Sequence, residues 1–99
     1  MAANVERTPR VAVDLDEIWL AIATDNAMAA DRVLGRILEA AQRLGEFPQM
    51  GQARDELRPG LRGWAVGDYL IFYSATPGVV TILRIVHGAR DLGELLSES

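Results

Sequence analysis

Cysteine and lysine are both absent from the 99-residue chain. Without cysteine there can be no disulfide framework, no thiolate zinc site and no cysteine nucleophile. No apolar run approaches the roughly 20 residues that a membrane-spanning helix needs. The polar segment from Met1 to Arg10 also lacks the apolar core of a signal peptide. We therefore expect a soluble cytoplasmic protein without a membrane partner.

A basic surplus is also missing. The formal net charge is −4, and all ten basic residues are arginine. Proteins that bind nucleic acid usually carry excess positive charge, because phosphate neutralisation supplies much of their affinity. Direct nucleic-acid binding is therefore not favoured. The sequence shows no phosphate-binding loop, dinucleotide motif or metal-ligand cluster, so we expect no cofactor and no metal.

The chain is rich in hydrophobic residues, which make up 49% of it, as is typical of a folded globular protein. A chain of this length forms one domain with a modest core and little room for a deep cavity. We assign residues 1–99 to a single domain.

The N-terminal half has the periodicity of a strand followed by two helices. Residues 4–7 are a candidate first strand, and Thr8-Pro9 has the residues of a helix start. A second helix is predicted to run to about Leu44, with Gly45 as a left-handed C-terminal cap. The apolar stripes have helical spacing, and Asp14, Asp16 and Glu17 are expected mostly on the polar side of the first helix. The stripe of the first helix is Val11, Leu15, Ile18, Trp19 and Ile22. The stripe of the second helix is Val33, Leu34, Ile37, Leu38, Ala41 and Leu44.

The C-terminal half changes to β-forming residues after a long loop at 46–60, which Phe47 and Met50 are expected to pin to the core. Strands are predicted at 61–66, 69–75 and 79–86, joined by tight turns at Gly67-Asp68 and Thr76-Pro77-Gly78. These strands form an antiparallel meander. The fold class is therefore α+β, with an N-terminal strand and an antiparallel helical hairpin packed on a small antiparallel sheet, in the order β-α-α-β-β-β.

Six short segments occur in a fixed order along this framework. They are Asp14–Trp19 and Ala29–Arg32 in the helices, Pro48 with Met50-Gly51 in the loop, Pro59–Arg62, Tyr69–Tyr73, and Val86–Leu92 at the end of the last strand. Together they span most of the chain, and the ordered set resembles the ParE toxins of the ParE/RelE superfamily.

The resemblance implies the toxin of a bacterial type II toxin–antitoxin system. Its partner would be a ParD-like antitoxin whose acidic C-terminal segment folds as a helix on binding, in a heterotetramer or larger assembly. ParE-type toxins are associated with inhibition of DNA gyrase, whereas RelE-type relatives cleave mRNA on the ribosome. A shared fold does not choose between these activities. An inactive member that only binds an antitoxin is a third alternative.

RNA cleavage of the RelE kind needs a base, an acid and cations that stabilise the phosphorane. RelE-like enzymes resemble one another in using lysine and arginine on the sheet, and the lysines are missing here. The groups that could serve are Arg62, Arg84, His87 and Arg90, with Tyr69 and Tyr73 nearby. Histidine is a residue type suited to proton transfer near neutral pH, but His87 could equally bond the backbone or Asp91.

Arg84 lies in an otherwise apolar strand, where a charge must be paired or face solvent. It could contact a partner that covers the second sheet face, or it could form an internal pair with a helix carboxylate. Trp64 could lie on the open sheet face as an interface anchor, or it could pack under the loop. The candidate residues for antitoxin or target binding are Leu15, Trp19, Ile22, Val33, Ile37, Trp64, Tyr73 and Arg84, several of which are also candidate core residues.

Overall fold

The computed structural model describes residues 2–88 and follows the predicted order of elements, with one additional strand. The additional strand, β2, has only two residues and lies within the predicted loop. The elements are β1 (Asn4–Arg7), α1 (Pro9–Ala23), α2 (Ala27–Glu46), β2 (Gln52–Ala53), β3 (Arg62–Val66), β4 (Tyr69–Thr76) and β5 (Val79–His87). Within residues 2–88, neither helix is long and apolar enough to cross a membrane.

The strands form one five-stranded sheet in the order β1-β5-β4-β3-β2. The predicted meander is confirmed, because β3, β4 and β5 are antiparallel neighbours. β1 joins this sheet at one edge, where it runs parallel to β5. The two helices connect β1 to the rest of the sheet. A connection of that length allows a parallel pairing, which a tight turn would not.

Both predicted turns are two-residue hairpins. Val66 pairs with Tyr69, and Thr76 pairs with Val79. The turns require a left-handed residue, which glycine supplies without a steric cost. Gly67 has a φ of 57° and Gly78 has a φ of 83°. The two glycines therefore allow the tight turns at which the strand pairing of the meander begins.

The helix ends differ in detail from the prediction. Thr8 occupies the N-cap position of α1, but its side chain makes no capping hydrogen bond. Its hydroxyl instead donates to the Leu83 carbonyl at 3.1 Å. Gly45 is not a left-handed cap, since it lies inside α2 and is buried. A Cβ there would lie 2.6 Å from Val5 Cγ2 and 2.9 Å from the Ala3 carbonyl oxygen, so glycine allows β1 to pass against the helix.

The main core fills the space between the helical hairpin and one face of the sheet. Its members come from α1, α2, β4 and β5, as expected when two apolar helix stripes cover a sheet. Partly buried side chains such as Val5, Met50 and Trp64 pack at its margin. The buried members are Val11, Leu15, Ile18, Ile37, Ala41, Leu44, Ile71, Tyr73, Val80, Ile82 and Ile85.

Candidate functional site

A buried ion pair joins α1 to β5. The Arg84 guanidinium donates to the Asp14 carboxylate from Nε at 2.9 Å and from Nη2 at 3.1 Å. Both side chains are only 2% exposed. The carboxylate also accepts the Ile85 backbone N–H at 3.0 Å, and Arg10 Nε lies 3.3 Å from it at the surface. Two charge-assisted bonds from one planar guanidinium fix the orientation of both partners.

The position of this pair follows from the short length of β1. β1 covers the edge of β5 only as far as Ile82, and α1 covers the backbone groups beyond it. The Thr8 N–H donates to the Ile82 carbonyl at 3.1 Å, and Asp14 accepts from Ile85 further along. Because an unpaired backbone group is costly when buried, Asp14 completes the edge of the sheet.

The expectation that Asp14 lies on the polar side of α1 is therefore wrong. The register of β5 also helps to place Arg84 beside Asp14. Phe72 pairs with Arg84, whereas Tyr73 pairs with Ile82, so Leu83 is the extra residue of a bulge. A bulge re-aims the side chains that follow it. Of the two interpretations of Arg84, the structure shows the internal pair with a helix carboxylate. An arginine that is 1% exposed has no surface to offer a partner.

Among the described candidate nuclease residues, the structure does not bring Arg62 and His87 together. Arg62 pairs with Tyr73 and His87 pairs with Tyr69. Those tyrosines are four positions apart along β4, which separates them by about 13 Å. Arg62 and His87 thus lie towards opposite ends of the sheet. Arg84 is engaged by Asp14, and Arg90 lies outside the described residues.

His87 is exposed at the end of β5 and makes an edge-to-face contact with Tyr69, with ring centroids 5.5 Å apart. Both rings line a cleft of about 220 Å³ together with Asp14, Glu17 and Val86. Small-molecule sites usually have volumes of about 300–1,000 Å³. The volume of the cleft therefore lies below the usual range for a small-molecule site. Residues 2–88 contain no cluster of three or more histidine, aspartate or glutamate side chains that could hold a metal ion.

Apart from Arg84, the candidate binding residues fall into two groups. Leu15, Ile37 and Tyr73 are buried in the main core, so they can shape a binding surface but cannot contact a partner. Trp19, Ile22, Val33 and Trp64 keep partial exposure.

The two tryptophans have different surroundings. The Trp19 indole donates to Asp31 at 2.9 Å, which joins α1 to α2. The open-face position for Trp64 is wrong, because this side chain packs against the main core on the helix side of the sheet.

The second face of the sheet has a small apolar cluster of its own. Side chains alternate along a strand, and Phe72 therefore points away from its buried neighbours Ile71 and Tyr73. Phe72 is buried with Leu61 and Val86, and Arg54 lies over its ring at 5.9 Å. Arg54 also bonds Glu56 and thereby lowers the pKa of that carboxyl group. The long loop thus folds over this face, so a partner is not needed to cover these side chains.

The first part of the long loop is fastened by two residues of the sheet. The Tyr73 hydroxyl donates to the Pro48 carbonyl at 2.8 Å and accepts the Gly51 N–H at 2.9 Å. Arg62 Nη2 donates to the carbonyl groups of Gln49 at 3.1 Å and Gly51 at 2.6 Å. Tyrosine and arginine in strands give no hint in the sequence that they hold a loop 11 to 25 residues away.

Of the two side chains expected to pin this loop, Met50 does pack against the core. The expectation for Phe47 is wrong, since its side chain is 54% exposed. The fastened loop therefore presents an aromatic ring to solvent.

Comparison with known proteins agrees with this fold. A family model described as ParE toxin of type II toxin-antitoxin system, parDE, matches residues 5–92. The chain is 36% identical over 96 residues to Toxin ParE3 of Caulobacter vibrioides, covering 96% of each protein. It is 29% identical to Toxin ParE1 of Mycobacterium tuberculosis, covering 93% of this chain and 96% of that protein.

Among solved structures, the fold is similar to a chain described as the chromosomal ParDE TA system from P. aeruginosa, with a TM-score of 0.76 and 21% identity. That similarity covers 87% of this chain and 96% of the other. A chain of the RelBE2 toxin–antitoxin complex from Mycobacterium tuberculosis gives a TM-score of 0.66 at 22% identity, covering 91% of this chain and 95% of that one. The family model and the curated relatives show that this chain belongs to the ParE toxin family of type II toxin–antitoxin systems.

Proposed function

We propose that this ParE-family toxin is held inactive by a cognate antitoxin and, when released, inhibits DNA gyrase by binding it. The observation that carries this proposal is the internal engagement of the arginines that RNA cleavage would need. Arg84 neutralises Asp14 and Arg62 holds the loop carbonyl groups. A protein-binding mode of action needs neither side chain to be free, and it suits a chain with a net charge of −4.

An antitoxin partner is supported by the two structural neighbours, whose descriptions name a ParDE system and a RelBE2 toxin–antitoxin complex. We expect a ParD-like protein with an acidic C-terminal segment that becomes helical on binding. The assembly would be a heterotetramer or larger, and its place would be the cytoplasm, where the replication machinery of a bacterium lies.

Ribosome-dependent mRNA cleavage is the second candidate function. One observation favours it, namely the 37% identity over 89 residues to Toxin RelE2 of Caulobacter vibrioides. His87 is exposed and would be the group best placed to transfer a proton. In that mechanism, the His87→Gln variant would fold normally but lose its toxicity.

A supercoiling assay tests the gyrase proposal with purified components. The toxin is added to gyrase and relaxed plasmid, alone or after mixing with an equimolar amount of the antitoxin encoded beside its gene. We expect the toxin alone to block supercoiling and the antitoxin to restore it. Full gyrase activity at a large excess of folded toxin would contradict the gyrase proposal, and cleavage of mRNA on added ribosomes would favour the second candidate.

A further inference from the structure

The helical hairpin is well buried along only half of its length. Residues 19–35 run from the middle of α1, around the turn, to the middle of α2, and Ala30 is the single buried residue among them. We call these residues the distal half of the hairpin, and residues 9–18 and 36–46 the proximal half. The buried residues of the proximal half are Val11, Asp14, Leu15, Ile18, Ile37, Ala41, Leu44 and Gly45.

The apolar side chains of the distal half lie at the margin of the main core or in solvent. Ile22 and Val33 are only partly buried against that core. Leu20 is 61% exposed and Met28 is 75% exposed. Packing of an apolar face supplies most of the stability of a helix in a protein. The distal half therefore has much less of this support than the proximal half.

Two clefts separate the hairpin from the end of the sheet. One is the cleft of about 220 Å³ beside Tyr69 and His87, whose wall on the α1 side includes Ala21. The other, of about 120 Å³, lies beside α2 between Val33 and Val66, and Tyr69 lines it as well. Side chains that face a cleft lose the dispersion contacts of a close-packed interface. The hairpin is therefore weakly held where it passes the end of the sheet.

Hydrogen bonds do not replace this missing packing. Within residues 2–88, no side-chain hydrogen bond or ion pair joins the distal half to the sheet. Its bonds are internal, such as the one from the Trp19 indole to Asp31 at 2.9 Å. The proximal half of α1, in contrast, is bonded to β5 through Asp14.

The sequence of α2 weakens the distal half further at Gly35. Gly45 allows β1 to pass close to the helix, but a Cβ added at Gly35 would meet no atom within 4 Å. Glycine is a poor helix former because it loses more backbone freedom on folding than any other residue. Gly35 therefore lowers the stability of a helix interior without a compensating contact inside the described part of the chain.

We infer that the distal half of the hairpin opens and closes as a unit by local unfolding, while the sheet and the proximal half stay folded. Gly35 lies within the unit that opens, and the bond between Trp19 and Asp31 breaks with it. Segments with few buried apolar contacts open with a free energy below that of global unfolding. This device belongs to the chain on its own and does not rest on the proposed function.

Amide hydrogen exchange of the full chain, followed by NMR, tests the inference. We expect the hydrogen-bonded amides of the distal half to exchange at least about a hundredfold faster than those of residues 37–44. Low concentrations of urea should accelerate the slow amides more than the fast ones, because local opening exposes less surface than global unfolding. Equal protection along the whole hairpin would overturn the inference.

A variant in the sheet separates local opening from global unfolding. Ile82→Val removes one methylene group from a fully buried side chain of β5, and it should accelerate exchange in the central strands several-fold. The amides of the distal half should not respond, because their opening leaves β5 folded. Acceleration by the same factor in the strands and in the distal half would contradict local opening.

Two variants on α2 locate the boundary of the unit. Gly35→Ala should slow exchange in the distal half by about two- to fivefold, since alanine favours the helix. Gln42→Gly is the matched control, because it makes the reverse type of change at an exposed position of the proximal half. We expect Gln42→Gly to leave exchange in the distal half unchanged. An unchanged rate in Gly35→Ala, or faster distal exchange in Gln42→Gly, would overturn the assignment of residues 19–35 as the unit.

Discussion

Replacing Asp14 by alanine removes a carboxylate that accepts two hydrogen bonds from the buried Arg84 guanidinium. Breaking a buried ion pair by deleting one partner costs about 3–5 kcal/mol, because the remaining charge stays buried after its counter-charge has gone. The Ile85 N–H also loses its acceptor, which adds about 1–3 kcal/mol. Since a domain of this kind is stable by about 5–15 kcal/mol, Asp14→Ala should lose a large share of its stability.

The double variant Asp14→Leu/Arg84→Met should be more stable than Asp14→Ala. Replacing both charges by apolar groups removes the unpaired charge, and such exchanges are often neutral or stabilising by about 1–4 kcal/mol. The unpaired Ile85 N–H remains, so we expect the double variant to fall below the natural chain by about 1–3 kcal/mol. Arg10→Ala is the control and should cost at most about 1 kcal/mol, since its pair with Asp14 is largely at the surface.

Urea unfolding at 25 °C gives the free energy of unfolding for each variant. Together with Arg84→Met and Asp14→Leu as single variants, the measurements form a double-mutant cycle. A strong positive coupling between the two positions is the expected result. Additive effects, with each single variant within about 1 kcal/mol of the natural chain, would refute the reasoning that this pair supports the edge of the sheet.

Four further changes have distinct expected results. Gly45→Ala should destabilise the chain by about 1–3 kcal/mol, because overpacking forces backbone shifts. Gly35→Ala, in contrast, should stabilise it by about 0.5–1 kcal/mol. Thermal unfolding measures whether each variant is less or more stable than the natural chain. Tyr73→Phe should cost about 1–3 kcal/mol, and it should speed amide hydrogen exchange at Gly51, whose N–H loses its acceptor. His87→Gln should leave growth arrest intact if the target is gyrase, and a loss of arrest with unchanged folding would favour the nuclease.

Local patterns were sufficient to predict most of the framework. Apolar spacing placed both helices, and the two glycine-containing turns placed the hairpins of the meander. The pairing of β1 with β5 could not be predicted, since it joins Asn4 to Val79 across most of the chain. The two residues of β2 are also too few to give a strand pattern.

The errors at the candidate site have one physical cause. The burial of Asp14 depends on a side chain 70 residues away in the sequence, and the face occupied by Trp64 depends on which side of the sheet the helices cover. Helical periodicity assigns a carboxylate to solvent because it contains no information about distant partners. Arg84 was the informative exception, since a charge in an apolar strand had to be either paired or covered.

Induced expression of this chain in a bacterium that lacks the antitoxin tests the central claim most directly. The SOS response and the rate of translation are measured separately in the first minutes after induction. We predict filamentation and a strong SOS response while translation continues, with both effects reversed by co-expression of the antitoxin. Rapid arrest of translation with cut mRNA and no SOS response, or normal growth with abundant folded toxin, would contradict the claim.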